Sequence, residues 1–231
     1  MYTLPFLFAN IKCMKSIGSN ITTFEINPEY DIQGYEQIAR TAPIGIRPTN
    51  LLALPNDISD AVNAAFSDNA SHIIVRVTEI KTAWKAVEQR FLDLSLRFFN
   101  LEDIPQNAYT CYPTICPLIA RDPINHRVAF PYDSGSKLAC YVIAHELLHE
   151  FFYHHLHNTF GDKIDLNRKD IWDFSEIIDV LIMQEKEWLE LLSIKAEPYE
   201  IHKELFFKLK SIWDRDKNVD TLVKEFIFKS K

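Results

Sequence analysis

Val142-Ile-Ala-His-Glu-Leu-Leu-His-Glu-Phe151 is the stretch of the chain that decides its fold. It places His145 and His149 four residues apart, with Glu146 directly after the first histidine. On an α-helix a step of four residues rises about 6 Å and returns to nearly the same face, so both imidazoles can bind one ion. Glu146 then lies beside a water molecule on that ion. The pattern predicts a catalytic zinc site, and its alternative is a chance coincidence.

The motif needs a continuous helix, and the surrounding sequence predicts one from about Lys137 to Leu156. Apolar residues recur there at helical spacing, and neither proline nor glycine interrupts them. We therefore expect both histidines on one helix.

A third protein ligand must come from another part of the chain, because a catalytic zinc usually has three and keeps the fourth position for water. A long helix is predicted from about Arg168 to Ser193, and Glu176 lies in it among apolar residues. A carboxylate in such surroundings needs a partner, and a zinc ion is one. Asp179, one turn later, could accept the free ring N–H of a ligating histidine. The alternative for Glu176 is a solvated position on the helix.

His155 is the alternative third ligand. It follows His145 by ten residues, a spacing that resembles the metzincin pattern, in which a glycine three residues after the second histidine turns the chain back. Phe152 occupies that turn, where an aromatic residue would be strained in the left-handed conformation. On a straight helix His155 lies about 15 Å from His145, so Glu176 is favoured. The cluster of His154, His155 and His157 is then a polar helix end, with a second metal site as its alternative.

These features resemble the gluzincin branch of the zincin metallopeptidases, to which thermolysin and the minigluzincins belong. The likeness covers about residues 72 to 194 and includes the elements ahead of the HELLH helix. An amphipathic helix is predicted around Ile80 to Phe98. Three short apolar runs follow: Ala108 to Tyr112, Ile115 to Ala120 and Arg127 to Pro131. A hairpin turn, Asp122 to Asn125, is predicted between the last two.

The resemblance implies an α+β, zincin-like fold with a small, mostly antiparallel sheet, a backing helix, the HELLH helix, a glutamate helix and C-terminal helices. It implies one Zn²⁺ held by His145, His149 and Glu176, with Glu146 as the base and Asp179 orienting a histidine. A substrate peptide would lie along an edge strand that includes Leu118, Ile119 and Ala120.

The chain also departs from the family pattern at three points. Glu150 follows the second histidine where zincins have an uncharged residue, and Asp179 follows Glu176 by three positions rather than four. No segment matches the tyrosine and histidine that stabilise the oxyanion in thermolysin. Tyr199 and His202 have the right side chains, but we expect both at the surface.

The function expected from this resemblance is a zinc-dependent metallopeptidase. The glycine-x-methionine-glutamate-asparagine motif of gluzincin aminopeptidases is absent, which favours an endopeptidase acting on peptide or protein substrates. Two other classes stay open. One is a catalytically silent zincin-like scaffold that binds metal or a protein partner, and the other is a helical interaction protein in which HELLH is accidental.

Length and composition are those of an ordered globular protein. The 231 residues are 47% hydrophobic, which is enough to bury a core and fits one domain or a domain with an extension. We divide the chain into an N-terminal extension, residues 1–71, and a zincin-like domain, residues 72–231, which ends in a helical pair from about residue 196. The extension is expected to contain a strand at Ile21 to Ile26 and a helix at Asp57 to Phe66; it is structural, or alternatively a segment that keeps the enzyme latent.

Charge and hydropathy exclude several kinds of partner. The net charge is −7 and the basic residues are dispersed, so we expect no nucleic-acid binding. No signal peptide or transmembrane segment is recognisable, which predicts a cytoplasmic protein without a membrane partner. The four cysteines, which show no CxxC pairing, are interpreted as reduced thiols; zinc binding by Cys111 and Cys116 is the alternative.

Overall fold

The computed structural model describes residues 21–41, 58–106, 108–116, 121–166 and 168–228. The chain divides into two compact units, each built from several segments. Among the described residues, unit 1 holds those of 21–86 and 106–146, and unit 2 holds those of 87–105 and 147–228. These boundaries differ from the division predicted after residue 71, which stays a prediction.

The described part of the chain is a mixture of α-helices and short strands. The helices are α1 (Pro28–Thr41), α2 (Ile58–Asp68), α3 (Ala70–Phe98), α4 (Ser136–Phe160), α5 (Lys169–Met183), α6 (Lys186–Leu192), α7 (Lys203–Asp216) and α8 (Val219–Val223). Two 3₁₀ turns, Gly161–Lys163 and Glu200–His202, and a π-helix, Lys224–Phe228, adjoin them. The strands are β1 (Thr22–Phe24), β2 (Tyr109–Thr114), β3 (Arg121–Asp122) and β4 (Arg127–Pro131).

The four strands form one sheet in unit 1, in the order β1-β2-β4-β3. β1 pairs with β2, and β2 pairs with β4, both in parallel; the β3–β4 pair is antiparallel. The expectation of a mostly antiparallel sheet is therefore wrong. It arises because strands close in sequence usually lie side by side, whereas here β4 lies between β2 and β3.

The predicted hairpin joins β3 to β4. Asp122 accepts hydrogen bonds from the backbone N–H and the side-chain amide of Asn125, at 3.2 and 2.7 Å, and it is also bonded to Arg127. His126 completes the turn with a φ of 52°. These bonds close the turn, and they are the local chemistry that made it predictable.

Most of the predicted edge strand, Ile115 to Ala120, lies outside the described residues, and the strand stays a prediction. Ile115 and Cys116 follow the end of β2 and belong to no strand, and Leu118, Ile119 and Ala120 lie outside the described residues. In the described part of the sheet, β3 occupies the edge beside β4.

Unit 1 uses the N-terminal residues as part of its sheet. Thr22 of β1 accepts a hydrogen bond from the buried indole of Trp84 on α3 at 2.9 Å, and its carbonyl accepts another from Lys85 at 3.0 Å. Phe24 packs against Phe130 of β4 with ring centroids 5.8 Å apart. The strand expected at Ile21 to Ile26 is thus confirmed, and it adds to the sheet.

Unit 2 is held together by aromatic rings on its helices. Phe91 of α3 contacts both Phe151 of α4 and Trp188 of α6 edge-on. Phe174 of α5 stacks on Phe226 with centroids 4.7 Å apart. Buried aromatic pairs stabilise by dispersion and by burial of large apolar area, so they fix these helices firmly within the unit.

The long helix predicted from Arg168 to Ser193 is interrupted. α5 ends at Met183 and α6 begins at Lys186, because Glu185 has an extended backbone with ψ of 148°. The Glu185 carboxylate accepts bonds from the Trp213 indole at 2.8 Å and from Lys217 at 2.6 Å. These tertiary contacts on α7 and just beyond it accompany the break, and nothing in the local sequence pattern indicates them.

None of the described helices combines the length and apolar character that crossing a bilayer requires.

Candidate metal centre

His149 lies near the middle of α4 and is almost completely buried. Within unit 2, its two ring nitrogens face two different carboxylates of α5. Nδ1 lies 3.1 Å from Oδ2 of Asp179, and Nε2 lies 3.4 Å from Oε1 of Glu176. The side chain of Asp179 is inaccessible to solvent, and that of Glu176 is 8% exposed. The structure thus brings together three of the residues predicted for the site.

Burying two carboxylates beside one imidazole is unfavourable unless a positive charge compensates them. Glu176 and Asp179 lie on α5 among apolar residues, where nearly every neighbour on the helix is buried. Placing acidic groups in such a setting is costly for stability, and it is typical of sites that bind a cation.

His145 and Glu146 lie one turn earlier on the same helix, in unit 1. Nε2 of His145 is 3.9 Å from Oε1 of Glu146, and the ring of Tyr141 stacks beside that of His145. The other oxygen of Glu146, Oε2, lies 3.8 Å from Nε of Arg121 on β3. The side chains of His145, Glu146 and Arg121 are each about nine-tenths buried, at 12%, 9% and 12% exposure.

His145, His149 and Asp179 form the one group in the described chain that could hold a metal ion. One ligand atom from each lies within 4.8 Å of the other two. Two imidazoles and a carboxylate are a donor set that suits zinc, so these residues fit the predicted ion. The group does not include Glu176, the carboxylate that we expected to be the third ligand.

The two carboxylates that face His149 lie at different distances from its ring. Zinc bonds of about 2.0–2.2 Å in a tetrahedral site place two ligand atoms roughly 3.3–3.6 Å apart. The 3.4 Å between Nε2 and Glu176 matches that separation, and Nδ1 makes a closer polar contact with Asp179 at 3.1 Å. The first distance is compatible with Glu176 as a ligand, whereas the group of three that could hold the ion includes Asp179.

His155 is not brought to this group. α4 continues without a turn through Phe152 to Phe160, and His155 instead pairs with Asp220, with Nε2 and Oδ1 2.7 Å apart. Burial lowers the pKa of His155 below its usual range, although Asp220 opposes the shift.

The other alternative metal ligands also lie apart from the described group. His154 is bonded to Asn158 at 2.9 Å. Cys111 and Cys116 are buried and form no disulfide among the described residues, and neither belongs to the metal-binding group. The described residues therefore hold no second group of the kind that the histidine or cysteine clusters suggested.

We expected both His202 and Tyr199 at the surface, and this expectation is wrong for His202. Tyr199 is 59% exposed, but His202 is buried with Nε2 3.1 Å from Oδ1 of Asp173. Its ring also contacts those of Trp172 and Tyr199. The hydrogen bond to Asp173 of α5 gives the buried imidazole a polar partner, and the sequence pattern around residue 202 does not indicate it.

Arg121 is the residue near the proposed base that sequence reasoning missed. It directly follows residues 117–120 and precedes the hairpin, so only its place at the start of a strand next to the turn could have indicated it.

Comparisons with family models, with curated proteins and with solved structures found no match to the chain.

Proposed function

We propose that this protein is a zinc-dependent metallopeptidase of the gluzincin type, acting as an endopeptidase on peptide or protein substrates. The observation that carries the proposal is the position of buried His149 between Glu176 and Asp179, one helical turn after His145 and Glu146. A chance HELLH sequence would not be expected to have buried carboxylates on a second helix facing its second histidine.

In this proposal His145, His149 and Glu176 hold the ion. Bound zinc supplies a Lewis acid that polarises a carbonyl and lowers the pKa of water towards about 7. Asp179 accepts the Nδ1 proton of His149, which fixes the tautomer and leaves Nε2 to bind. Orienting contacts of this kind also hold the ring in one rotamer when the ion leaves.

Glu146 is the proposed general base. Its position directly after His145 places the carboxylate beside the first histidine without making it a ligand, with Oε1 3.9 Å from the ring nitrogen. It takes the proton of the attacking water and gives it to the departing amine nitrogen. Positioned acid–base groups of this kind contribute on the order of 10² to 10⁴ in rate.

β3 is the proposed contact for an extended substrate. In the described sheet it has β4 on one side only, so its other edge can receive the backbone of a peptide. An extended peptide bound through its backbone continues in both directions from the scissile bond, which favours cleavage within a chain.

The experiment that tests the function compares Glu146→Gln with wild type, after zinc has been measured by mass spectrometry in protein purified without a histidine tag. Casein hydrolysis should fall by at least about 10²-fold, while zinc content and melting temperature stay nearly unchanged. Glu150→Gln is the matched control, because it makes the same change on the same helix outside the proposed machinery.

Other outcomes of that experiment would contradict the proposal. Equal, chelator-sensitive activity in wild type and Glu146→Gln would indicate a contaminating metalloprotease or a different base. Zinc without hydrolysis in any variant would favour the catalytically silent scaffold. If the purified protein contained no zinc, the result would favour a HELLH sequence that occurs by chance.

A further inference from the structure

Arg121 lies on the opposite side of the Glu146 carboxylate from His145. Oε1 of Glu146 faces the His145 ring nitrogen at 3.9 Å, and Oε2 faces Nε of Arg121 at 3.8 Å. All three residues belong to unit 1. The guanidinium therefore lies beside the carboxylate that we propose as the general base.

The strand geometry directs Arg121 to this place. Successive side chains of a strand point to opposite faces of the sheet. Asp122 is engaged in the hairpin with Asn125 and Arg127, so Arg121 points to the other face, where it meets Glu146 of α4. β3 is also the strand along which we place the substrate.

The contact between Arg121 and Glu146 is electrostatic. Its 3.8 Å is longer than a hydrogen bond, and the guanidinium is a planar fork with five N–H donors that cannot lose its charge in a protein. Since both side chains are about nine-tenths buried, the charge acts through a medium of low polarity. Such a fixed cation favours any negative charge that develops nearby.

We propose that Arg121 is the catalytic residue that stabilises the oxyanion of the reaction. This inference rests on the proposed peptidase function. The water oxygen adds to the carbonyl carbon, its proton goes to Glu146, and the electron pair of the C=O π bond moves onto the carbonyl oxygen, which Arg121 stabilises. The C=O bond then re-forms, the C–N bond breaks, and the nitrogen takes the proton from Glu146. Arg121 thus fills the role for which no tyrosine or histidine was found in the sequence.

The test measures binding of an anion as well as turnover. The probe is a phosphinic Phe–Leu dipeptide amide, in which a tetrahedral, negatively charged phosphinate replaces the scissile amide, titrated calorimetrically into the zinc-loaded full chain. Arg121→Gln should lower the affinity for the probe about 10²-fold, which is the usual effect of removing one oxyanion donor, and Arg121→Lys should lower that affinity less. The matched control is Arg90→Gln, which removes an exposed arginine paired with Glu187 and should leave probe binding unchanged.

A second measurement excludes a purely structural role. Binding of the corresponding uncharged peptide is compared in Glu146→Gln and in Glu146→Gln combined with Arg121→Gln, where it should be equal. In active protein, Arg121→Gln should lower kcat about 10²-fold with KM nearly unchanged. Zinc content should be the same in all variants.

Unchanged probe affinity in Arg121→Gln, equal losses for the charged and neutral peptides, or no probe binding by zinc-loaded wild type would each overturn the assignment. The peptidase proposal is judged separately. Hydrolysis that persists in Arg121→Gln refutes only the role of Arg121. Arg121-dependent probe binding without any hydrolysis refutes only the peptidase.

Discussion

His149 and Asp179 lie 3.1 Å apart, from Nδ1 to Oδ2, and both are buried in unit 2. An imidazole that gives its Nδ1 proton to a carboxylate has its Nε2 lone pair available for a ligand. Glu176 lies on the Nε2 side of the ring, so in the proposed site Nε2 would bind the ion. The roles of the two carboxylates can therefore be separated by mutation.

Glu176→Ala should lose zinc, because two histidines alone leave the site without its third ligand. His155→Ala should retain zinc, since His155 pairs with Asp220 instead of joining the group. Metal content after exhaustive dialysis is the measurement. Stoichiometric zinc in Glu176→Ala together with loss in His155→Ala would reverse the assignment.

Asp179→Ala should weaken zinc affinity by about 10- to 100-fold without loss of the metal at saturating concentrations. The physical reason is that the imidazole of His149 would no longer be held in one tautomer and orientation. A chelator competition assay measures the affinity, and circular dichroism checks that the fold is intact. If Asp179 were itself the third ligand, its removal would abolish binding and Glu176→Ala would have the milder effect.

Asp31→Asn should change how stability depends on pH. Asp31 on α1 is buried, and its Oδ2 accepts the backbone N–H of Ile115 at 2.8 Å. Burial raises its pKa from 3.8 to about 6, against the opposing effect of hydrogen bonds from Thr114 and Ile115. In that window the folded state binds more protons than the unfolded state, so the contribution of Asp31 to stability falls as pH rises through about 6.

The measurement for Asp31 is urea unfolding of both proteins at about pH 5 and about pH 7.5. From about pH 5 to about pH 7.5, the free energy of unfolding of the wild type should fall by about 1.4 kcal/mol relative to that of Asp31→Asn, which is the equivalent of one pKa unit. Titration of all other groups cancels in the comparison. A difference that stays constant with pH would show that Asp31 does not titrate in this range.

A chain that begins at residue 72 should unfold at a lower temperature than the full chain. It lacks β1, which pairs with β2, and it lacks the acceptor at Thr22 for the buried Trp84 indole. Differential scanning calorimetry of both chains measures the effect, and Thr22→Val isolates the lost hydrogen bond, worth about 1 kcal/mol. If residues 1–71 only kept the enzyme latent, the short chain would melt at the same temperature and gain activity.

Local patterns allowed much of this architecture to be predicted. The helices around Trp84 and His149 follow from apolar periodicity, and the β3–β4 hairpin follows from Asp122 and Asn125, because turn chemistry acts within a few residues. The burial of Glu176 could be anticipated from its apolar neighbours on α5.

Contacts between distant residues could not be predicted from these patterns. The parallel pairing of β2 with β4 joins residues about 17 positions apart in the chain, such as Thr110 and Arg127, and no local pattern indicates it. The same applies to the break at Glu185, whose partners Trp213 and Lys217 lie on α7 and just after it, and to the buried pair of His202 with Asp173. Arg121 was missed for this reason, since its relation to Glu146 exists only once sheet and helix are packed.

The parallel pairing of β1 with β2 has a consequence for how the protein folds. Thr23 and Thr110 are neighbours in the sheet but lie 87 residues apart in the chain. During synthesis β1 therefore leaves the ribosome long before β2. Its backbone cannot form the β1–β2 hydrogen bonds until α1 to α3 have been synthesised. Closing so long a loop is an entropic barrier, so unit 1 should assemble more slowly than the helices of unit 2 and depend more on protection from aggregation.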